Sequence, residues 1–217
     1  ALLTVDLVPG NAVSVYVSAK GGGSENKAKF AVLNPSDSVA DWVVDTVEKL
    51  GAGWCPPGIL GIGVGGSSDR AMAMAKKALN DPLDMQALLK NGPQNKSEEL
   101  RIEIYERVNA LGIGAQGLGG VTTVLDVKIK SFPTHAASLP VGLIPNCAAT
   151  RHLHFTLDGT GVPNFETPDL AAWPEILLDE ANKNARRVDV DNLNEETLAS
   201  LKICLLYTSD AADDWFC

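Results

Sequence analysis

The sequence predicts a mixed α/β domain, and three observations carry that prediction. Short apolar runs at 13–19, 59–64, 121–129 and 139–144 have the length of strands and are bounded by glycine, proline or polar turns. Between them, 39–50 and 97–111 repeat apolar residues at helical spacing. Glycine-rich stretches fall at the joints between the two kinds of element. The expected class is therefore α/β with a mixed sheet, and not a Rossmann fold. Gly61-x-Gly63-x-x-Gly66 matches the dinucleotide fingerprint but has almost no strand in front of it. Gly112-x-Gly114-x-x-Gly117 follows a helix and precedes a strand, which is the wrong context.

Taken in order, Val13, Val15 and Val17 mark the first strand. It runs into KGGGSENK, residues 20–27, where successive glycines followed by Ser24, Asn26 and Lys27 can form an anion-binding nest of backbone N–H groups. Local sequence alone favours a flexible surface loop there. Asn34-Pro35-Ser36 signals a turn, and Ser36 or Asp37 is placed to cap the helix carrying Val39, Trp42, Val43 and Val47. Gly51 suits the stop of that helix.

The stretch GAGWCPPGILGIGVGG, residues 51–66, organises the middle of the chain. Two prolines stiffen the backbone after Cys55 and withhold two N–H donors, while Gly58, Gly61, Gly63, Gly65 and Gly66 let the chain run close to something bulky. A thiolate on such a loop suits a metal or cluster ligand, although a buried structural cysteine above a tight turn reads the same way. Ser67, Ser68 or Asp69 then caps a helix through Leu79 with Met72, Ala75 and Ala78 inward. Residues 80–94 read as irregular or short-helical. In the following helix Leu100, Ile104, Val108 and Leu111 form the apolar face, with Glu103 and Arg107 paired outside it. Pro133-Thr134-His135 opens the loop before the strand at 139–144. PNCAATRHLHF, residues 145–155, sets His152 and His154 on one face of a strand, where packed or partly exposed imidazoles are a better reading than a zinc pair lacking further ligands. Residues 158–174 are loop-rich and 186–201 are polar and helix-forming.

Composition narrows the function classes. The 217 residues are 45% hydrophobic and 21% charged, an ordinary globular balance with enough length for a real core. A net charge of −9 offers no basic stripe for nucleic acid, and no apolar run reaches a membrane span. The four widely spaced cysteines do not make a disulfide framework, so a reducing, cytoplasmic setting is expected.

Five blocks, KGGGSENK, GAGWCPPG, GIGAQGLGG, PTHAAS and PNCAATRH, in this order, resemble the N-terminal catalytic domain of the iron–sulfur, class I fumarate hydratases. The resemblance spans about residues 1–202 and implies the fold of that domain, with glycine loops along a cluster edge. It implies a [4Fe-4S] cluster, with Cys55 and Cys147 at two of the three ligand positions. The family's remaining cysteine stands in a CQDTG-type block that has no counterpart here. This implies a partial domain, 1–203, cut at both ends, and a piece inactive by itself. The family's acid/base residues fall outside the sequence. Gly23 matches a backbone contact to the dicarboxylate and His135 a substrate-binding histidine, while Asn26 and Lys27 are added for their nearness to that loop. The implied reaction is the reversible hydration of fumarate to (S)-malate, in a homodimer of the whole protein. L-tartrate dehydratases and mesaconate-type hydratases share the scaffold and stand as the alternative. A non-catalytic metal- or nucleotide-binding module on the glycine loops is the alternative of another class. Residues 204–217 contain CLLYTSDAAD, which resembles the read-through of a sequencing-library adapter, so Cys204 and Cys217 are left out of the ligand count.

Overall fold

The computed structural model describes residues 3–161 and the two-residue strand Asn164–Phe165. The expected helix at 186–201 and the tail at 204–217, with Cys204 and Cys217, lie outside the described residues. The chain divides into two compact units, one of Ser18–His152 and one of Ala1–Val17 with Leu153–Cys217.

The larger unit is built on a four-stranded sheet. Its strands are β2 (Lys29–Leu33), β3 (Gly58–Gly65), β4 (Val124–Phe132) and β5 (Leu139–Cys147), in the order β2-β5-β3-β4. β3 and β4 run parallel, whereas β5 is antiparallel to both of its neighbours. The sheet is mixed, as the sequence predicts, and the antiparallel β5 beside β3 excludes a doubly wound topology.

Helices cover both faces of that sheet. Leu60 and Ile62 of β3 point to one side, where Val43 and Val47 of α2 (Val39–Leu50) and Ile104 and Val108 of α5 (Lys96–Ala110) close a core with no exposure to solvent. Met85 and Leu88 of α4 (Met85–Asn91) complete it. Each such side chain stabilises by roughly 1.5–3 kcal/mol on burial. The exposed pairs Lys49–Asp45 and Arg107–Glu103 are screened by solvent and contribute little, so packing rather than surface charge seats these helices. Ile59 and Ile144 face the other side against Ala75 and Leu79, where α3 (Ser68–Ala78) crosses.

The glycines of β3 explain how closely α3 lies. A β-carbon on Gly61 would stand 2.3 Å from the Ala75 carbonyl oxygen, and one on Gly63 would stand 1.9 Å from that of Ala71. Both glycines sit inside the strand, so the fingerprint spacing reflects helix-on-sheet packing and not a phosphate-binding turn.

Several boundaries move from the sequence expectation for local reasons. Ser38 caps α2, accepting from Asp41 N–H at 3.1 Å, and neither Ser36 nor Asp37 does so. The Asp37 carboxylate is occupied by the Asn34 N–H at 2.8 Å, which closes the preceding turn instead. Asn95 caps α5 by accepting from Glu98 N–H at 3.0 Å, and Glu98 reciprocates by accepting from Asn95 Nδ2 at 2.9 Å. β4 begins at Val124 rather than at 121, because the Asn109 side chain accepts the N–H groups of Thr123 and Val124 at 2.7 and 2.9 Å.

A separate three-stranded sheet is formed by β1 (Val13–Ala19), β6 (Arg151–Leu157) and β7 (Asn164–Phe165), in the order β1-β6-β7. His154 is stacked on Tyr16 with ring centroids 3.9 Å apart, and its Nε2 is hydrogen-bonded to Ser14 Oγ at 2.7 Å. That imidazole is packed, in line with the sequence reading. Among the described residues no helix is long and apolar enough to cross a membrane.

Candidate functional site

The quoted glycine and cysteine blocks converge at the edge of the sheet where β3 begins and β5 ends. Cys147 closes β5 directly opposite Gly58, the first residue of β3. Cys55 stands just before that strand, ahead of a cis Pro56-Pro57 bond. The two segments are joined by Ala148 N–H donating to the Pro57 carbonyl at 3.0 Å. Neither thiol is in a disulfide, and both are half-buried.

The backbone here is tightly fixed. Cys55 has φ 59°, in the left-handed region that non-glycine residues rarely occupy. Its N–H donates to the Ala52 carbonyl at 2.9 Å, which fixes the turn. Beneath it Trp54 is fully buried, and Gly58 makes the space, since a β-carbon there would stand 2.7 Å from the indole and 2.3 Å from the Asn146 carbonyl oxygen. On the β5 side Asn146 is also buried, and its Oδ1 accepts from Thr150 Oγ1 at 2.5 Å, tying down the turn after Cys147.

The second glycine loop supports the first. Gln116, itself at φ 54°, donates its N–H to the Pro56 carbonyl at 2.7 Å. Gly117 approaches Ala52 so closely that a β-carbon would stand 2.5 Å from the alanine methyl. GIGAQGLGG therefore braces the cysteine turn from outside.

KGGGSENK comes to the same edge. The expected loose loop is instead a single helical turn, α1 (Gly22–Glu25), and Ser24 within it is buried. Ser24 Oγ donates to Cys147 Sγ at 3.7 Å and to the Gly21 carbonyl at 3.4 Å. Gly23 is half-buried in that turn, and Asn26 ends it at the surface, with its N–H donating to the Gly22 carbonyl. The Lys27 side chain lies across Gly53, with Cε 3.5 Å from where a β-carbon would be. Lys76 and Glu25 form an ion pair beside the turn.

Lys20 has the most unusual position. Its Nζ is buried and makes no hydrogen bond among the described residues. Burial pushes its pKa down to about 8, the charge of Lys76 pushes the same way, and the charge of Cys147 opposes them.

His135 lies elsewhere. It is an exposed residue ahead of β5, with Nδ1 accepting from Ala137 N–H at 3.1 Å, and Thr134 Oγ1 beside it donates to the Gly66 carbonyl at 3.0 Å. Cys147 closes the far end of β5, whose nine residues span about 26 Å by strand rise. The structure thus brings Cys55, Cys147, Ser24 and Lys20 to one edge and puts His135 at the other.

The donor set fits part of a soft-metal centre. Two sulfurs share the edge with an ammonium that has no acceptor among the described residues. Among the described residues no group of three or more His, Cys, Asp and Glu converges as a complete metal site. Two clefts, of about 370 Å³ beside Trp42 and Lys49 and about 220 Å³ beside Asn91 and Glu98, are not lined by either cysteine. Sequence reading gave no role to Lys20, Gln116 or Asn146, and it put Ser24 in an anion nest rather than beside Cys147. All four lie inside or directly beside the quoted blocks, and only the fold shows which of their side chains turn toward sulfur or brace the loops.

A second charged cluster is structural. Asp126 is fully buried on β4 and accepts the N–H groups of Asp84 and Met85 at 2.8 and 3.2 Å, serving the start of α4. Lys128 and Arg101 complete it, at 3.0 and 3.2 Å from the Asp126 carboxylate. Its charges are paired and its oxygens are occupied, so it carries no chemistry.

A family model described as Fumarate hydratase (Fumerase) matches residues 1–156. A protein named putative L(+)-tartrate dehydratase subunit alpha from Methanocaldococcus jannaschii is 41% identical over 145 residues, covering 64% of this chain and 48% of that protein. L(+)-tartrate dehydratase subunit alpha from Escherichia coli K12 is 32% identical over 155 residues, covering 69% and 49% respectively. The chain spans about half the length of the curated relatives it matches.

Proposed function

The chain belongs to the fumarate hydratase (Fumerase) family, and from that membership we propose that it is the cluster-bearing part of a hydro-lyase acting on a small dicarboxylate. The observation that carries this reading is the meeting of Cys55 and Cys147 across the start of β3 and the end of β5. Cys55 and Cys147 would hold a [4Fe-4S] cluster, with the third thiolate supplied by a segment beyond this sequence. Such a cluster, when bound, supplies an open iron that acts as a Lewis acid toward the departing hydroxyl.

The chain's own residues hold and orient. The left-handed turn at Cys55 and the brace from Gln116 keep one sulfur fixed, and the β3–β5 pairing fixes the other. In α1 the internal hydrogen bonds start with the N–H groups of Glu25 and Asn26, so the N–H of Gly23 precedes them and is assigned to a substrate carboxylate. Asn26 and Lys27, at the surface of the same turn, extend that carboxylate contact. The assignment of His135 to the substrate rests on the family resemblance, since the residue stands at the other end of β5.

Fumarate and (S)-malate are the proposed pair. L-tartrate is the second reading, favoured by the names of the relatives, which are tartrate dehydratase alpha subunits. The test is anaerobic iron–sulfide reconstitution of the full-length protein beside its Cys55→Ser and Cys147→Ser variants. Loss of iron and sulfide in both variants supports the ligand pair, and a cluster indifferent to both sinks it. Comparing kcat/KM on malate, L-tartrate and mesaconate then decides the substrate.

A further inference from the structure

Lys20 carries a charge at the cysteine edge to which the cluster reading gives no role. An ammonium is ordinarily satisfied by water or by a carboxylate, and a buried one without either is costly to keep charged. Lys20 Nζ is buried and donates to nothing among the described residues. The nearby carboxylate of Glu25 is already engaged by Lys76, and the charge of Lys76 adds repulsion. The Cys147 sulfur is within electrostatic reach of the ammonium and is of opposite sign once its thiol is ionised. The turn that follows Lys20 is also tied to that sulfur, because Ser24 Oγ bridges the Gly21 carbonyl and Cys147 Sγ. One short segment therefore holds a hydroxyl and an ammonium on the same sulfur-bearing edge.

We propose that Lys20 is a positioning residue for the metal centre: its buried ammonium takes as acceptor the negative charge gathered on sulfur at Cys147 when the cluster is bound. The proposal rests on the cluster reading given above. It makes the lysine of KGGGSENK a partner of the cluster's Cys147 ligand, with the glycines after it left to the substrate. A fixed positive charge beside a redox-active cluster stabilises its reduced state, so the lysine leaves a mark on the potential even though hydration and dehydration transfer no electrons.

The experiment uses the full-length, reconstituted protein and its Lys20→Met and Lys20→Arg variants. Iron and sulfide content is measured first, then the midpoint potential of the cluster by a redox titration followed by electron paramagnetic resonance. The expected result is a cluster present in all three, a midpoint shifted to more negative potential in Lys20→Met, and a value near wild type in Lys20→Arg. A Lys20→Met protein with full cluster and unchanged midpoint overturns the proposal. If that variant also shows a raised KM with kcat kept, the acceptor is a substrate carboxylate instead. If Lys20→Met keeps the wild-type circular dichroism but takes up no cluster, uptake by Lys20→Arg supports the charge role and failure of both overturns it. A wild-type protein that binds no cluster while remaining folded removes the premise, and the proposal falls with it.

Discussion

Gly63 and Ala71 are in backbone contact: a β-carbon on the glycine would stand 1.9 Å from the alanine carbonyl oxygen. No rotamer change relieves such a clash, because the obstacle is the main chain of α3. Gly63→Ala must push α3 off the sheet, and we expect a stability loss of about 3 kcal/mol or more in chemical denaturation, at the upper end of overpacking costs. A dinucleotide-binding role for this glycine would instead leave stability nearly unchanged and remove nucleotide binding. A melt indistinguishable from wild type would refute the packing account.

That contact also shows how much of the fold was legible in the sequence. The apolar stripe of α5 and the run at 59–64 announce themselves because their periodicity is local, and Ile104, Val108, Leu60 and Ile62 are indeed core. The purpose of Gly61 and Gly63 is not local, since the atoms they make room for belong to α3. The start of β4 depends on Asn109, on a different element, and that shift was invisible to a reading of 121–129 alone. The cysteine edge was legible as a set of blocks, and the strand expected at 139–144 already stood between the loop of His135 and Cys147; what their order did not reveal is that KGGGSENK and GIGAQGLGG meet at the cysteine end of that strand. Lys20 passed unnoticed because a lysine next to three glycines reads as solvated until burial is known.

Asp126 tests the other kind of buried charge. It has no solvent exposure, and it neutralises Lys128 and Arg101 while accepting two N–H groups at the start of α4. Asp126→Ala leaves Lys128 and Arg101 to share the half-exposed Asp84 carboxylate and strips the N–H groups of Asp84 and Met85 of their buried acceptor, and a loss of about 3–5 kcal/mol is expected. The network also predicts acid sensitivity. Burial works against ionisation of Asp84, but the hydrogen bonds from Arg101 and Lys128 outweigh it and hold its pKa below 3.8. Its contribution is complete above that value and is lost as pH falls through the lower folded pKa. Urea melts between neutral pH and pH 3 should show this decline, and Asp84→Asn should flatten it.

Cys55 occupies a left-handed turn at φ 59°, a region that its side chain disfavours. A non-glycine residue costs about 1–2 kcal/mol in that region. Glycine removes this cost but gives back roughly 0.5–1 kcal/mol in chain entropy. In the cluster-free protein Cys55→Gly should therefore leave stability unchanged or raise it by up to about 1 kcal/mol, although a half-buried side chain has been deleted. The same variant should fail to retain iron. A clear loss of stability would mean that the thiol is there for packing, which is the plainer reading of its sequence context.

Lys20 makes a pH prediction of opposite sign to Asp84. In the cluster-free protein its pKa is lowered from 10.5 to about 8, by burial first and then by Lys76, with Cys147 opposing. Between these two values the unfolded chain binds the proton and the folded one does not. Stability must therefore rise with pH from about 8 to 10.5, and below pH 8 the charged lysine is a standing cost to the fold. Denaturation midpoints of the cluster-free protein and of Lys20→Met, measured across this window, isolate the effect from other groups that titrate in it. The wild type should gain on the variant as pH rises, and the variant should be the more stable of the two near neutrality. If their difference does not change with pH, Lys20 is solvated in the cluster-free fold and its ammonium has no unmet need for an acceptor.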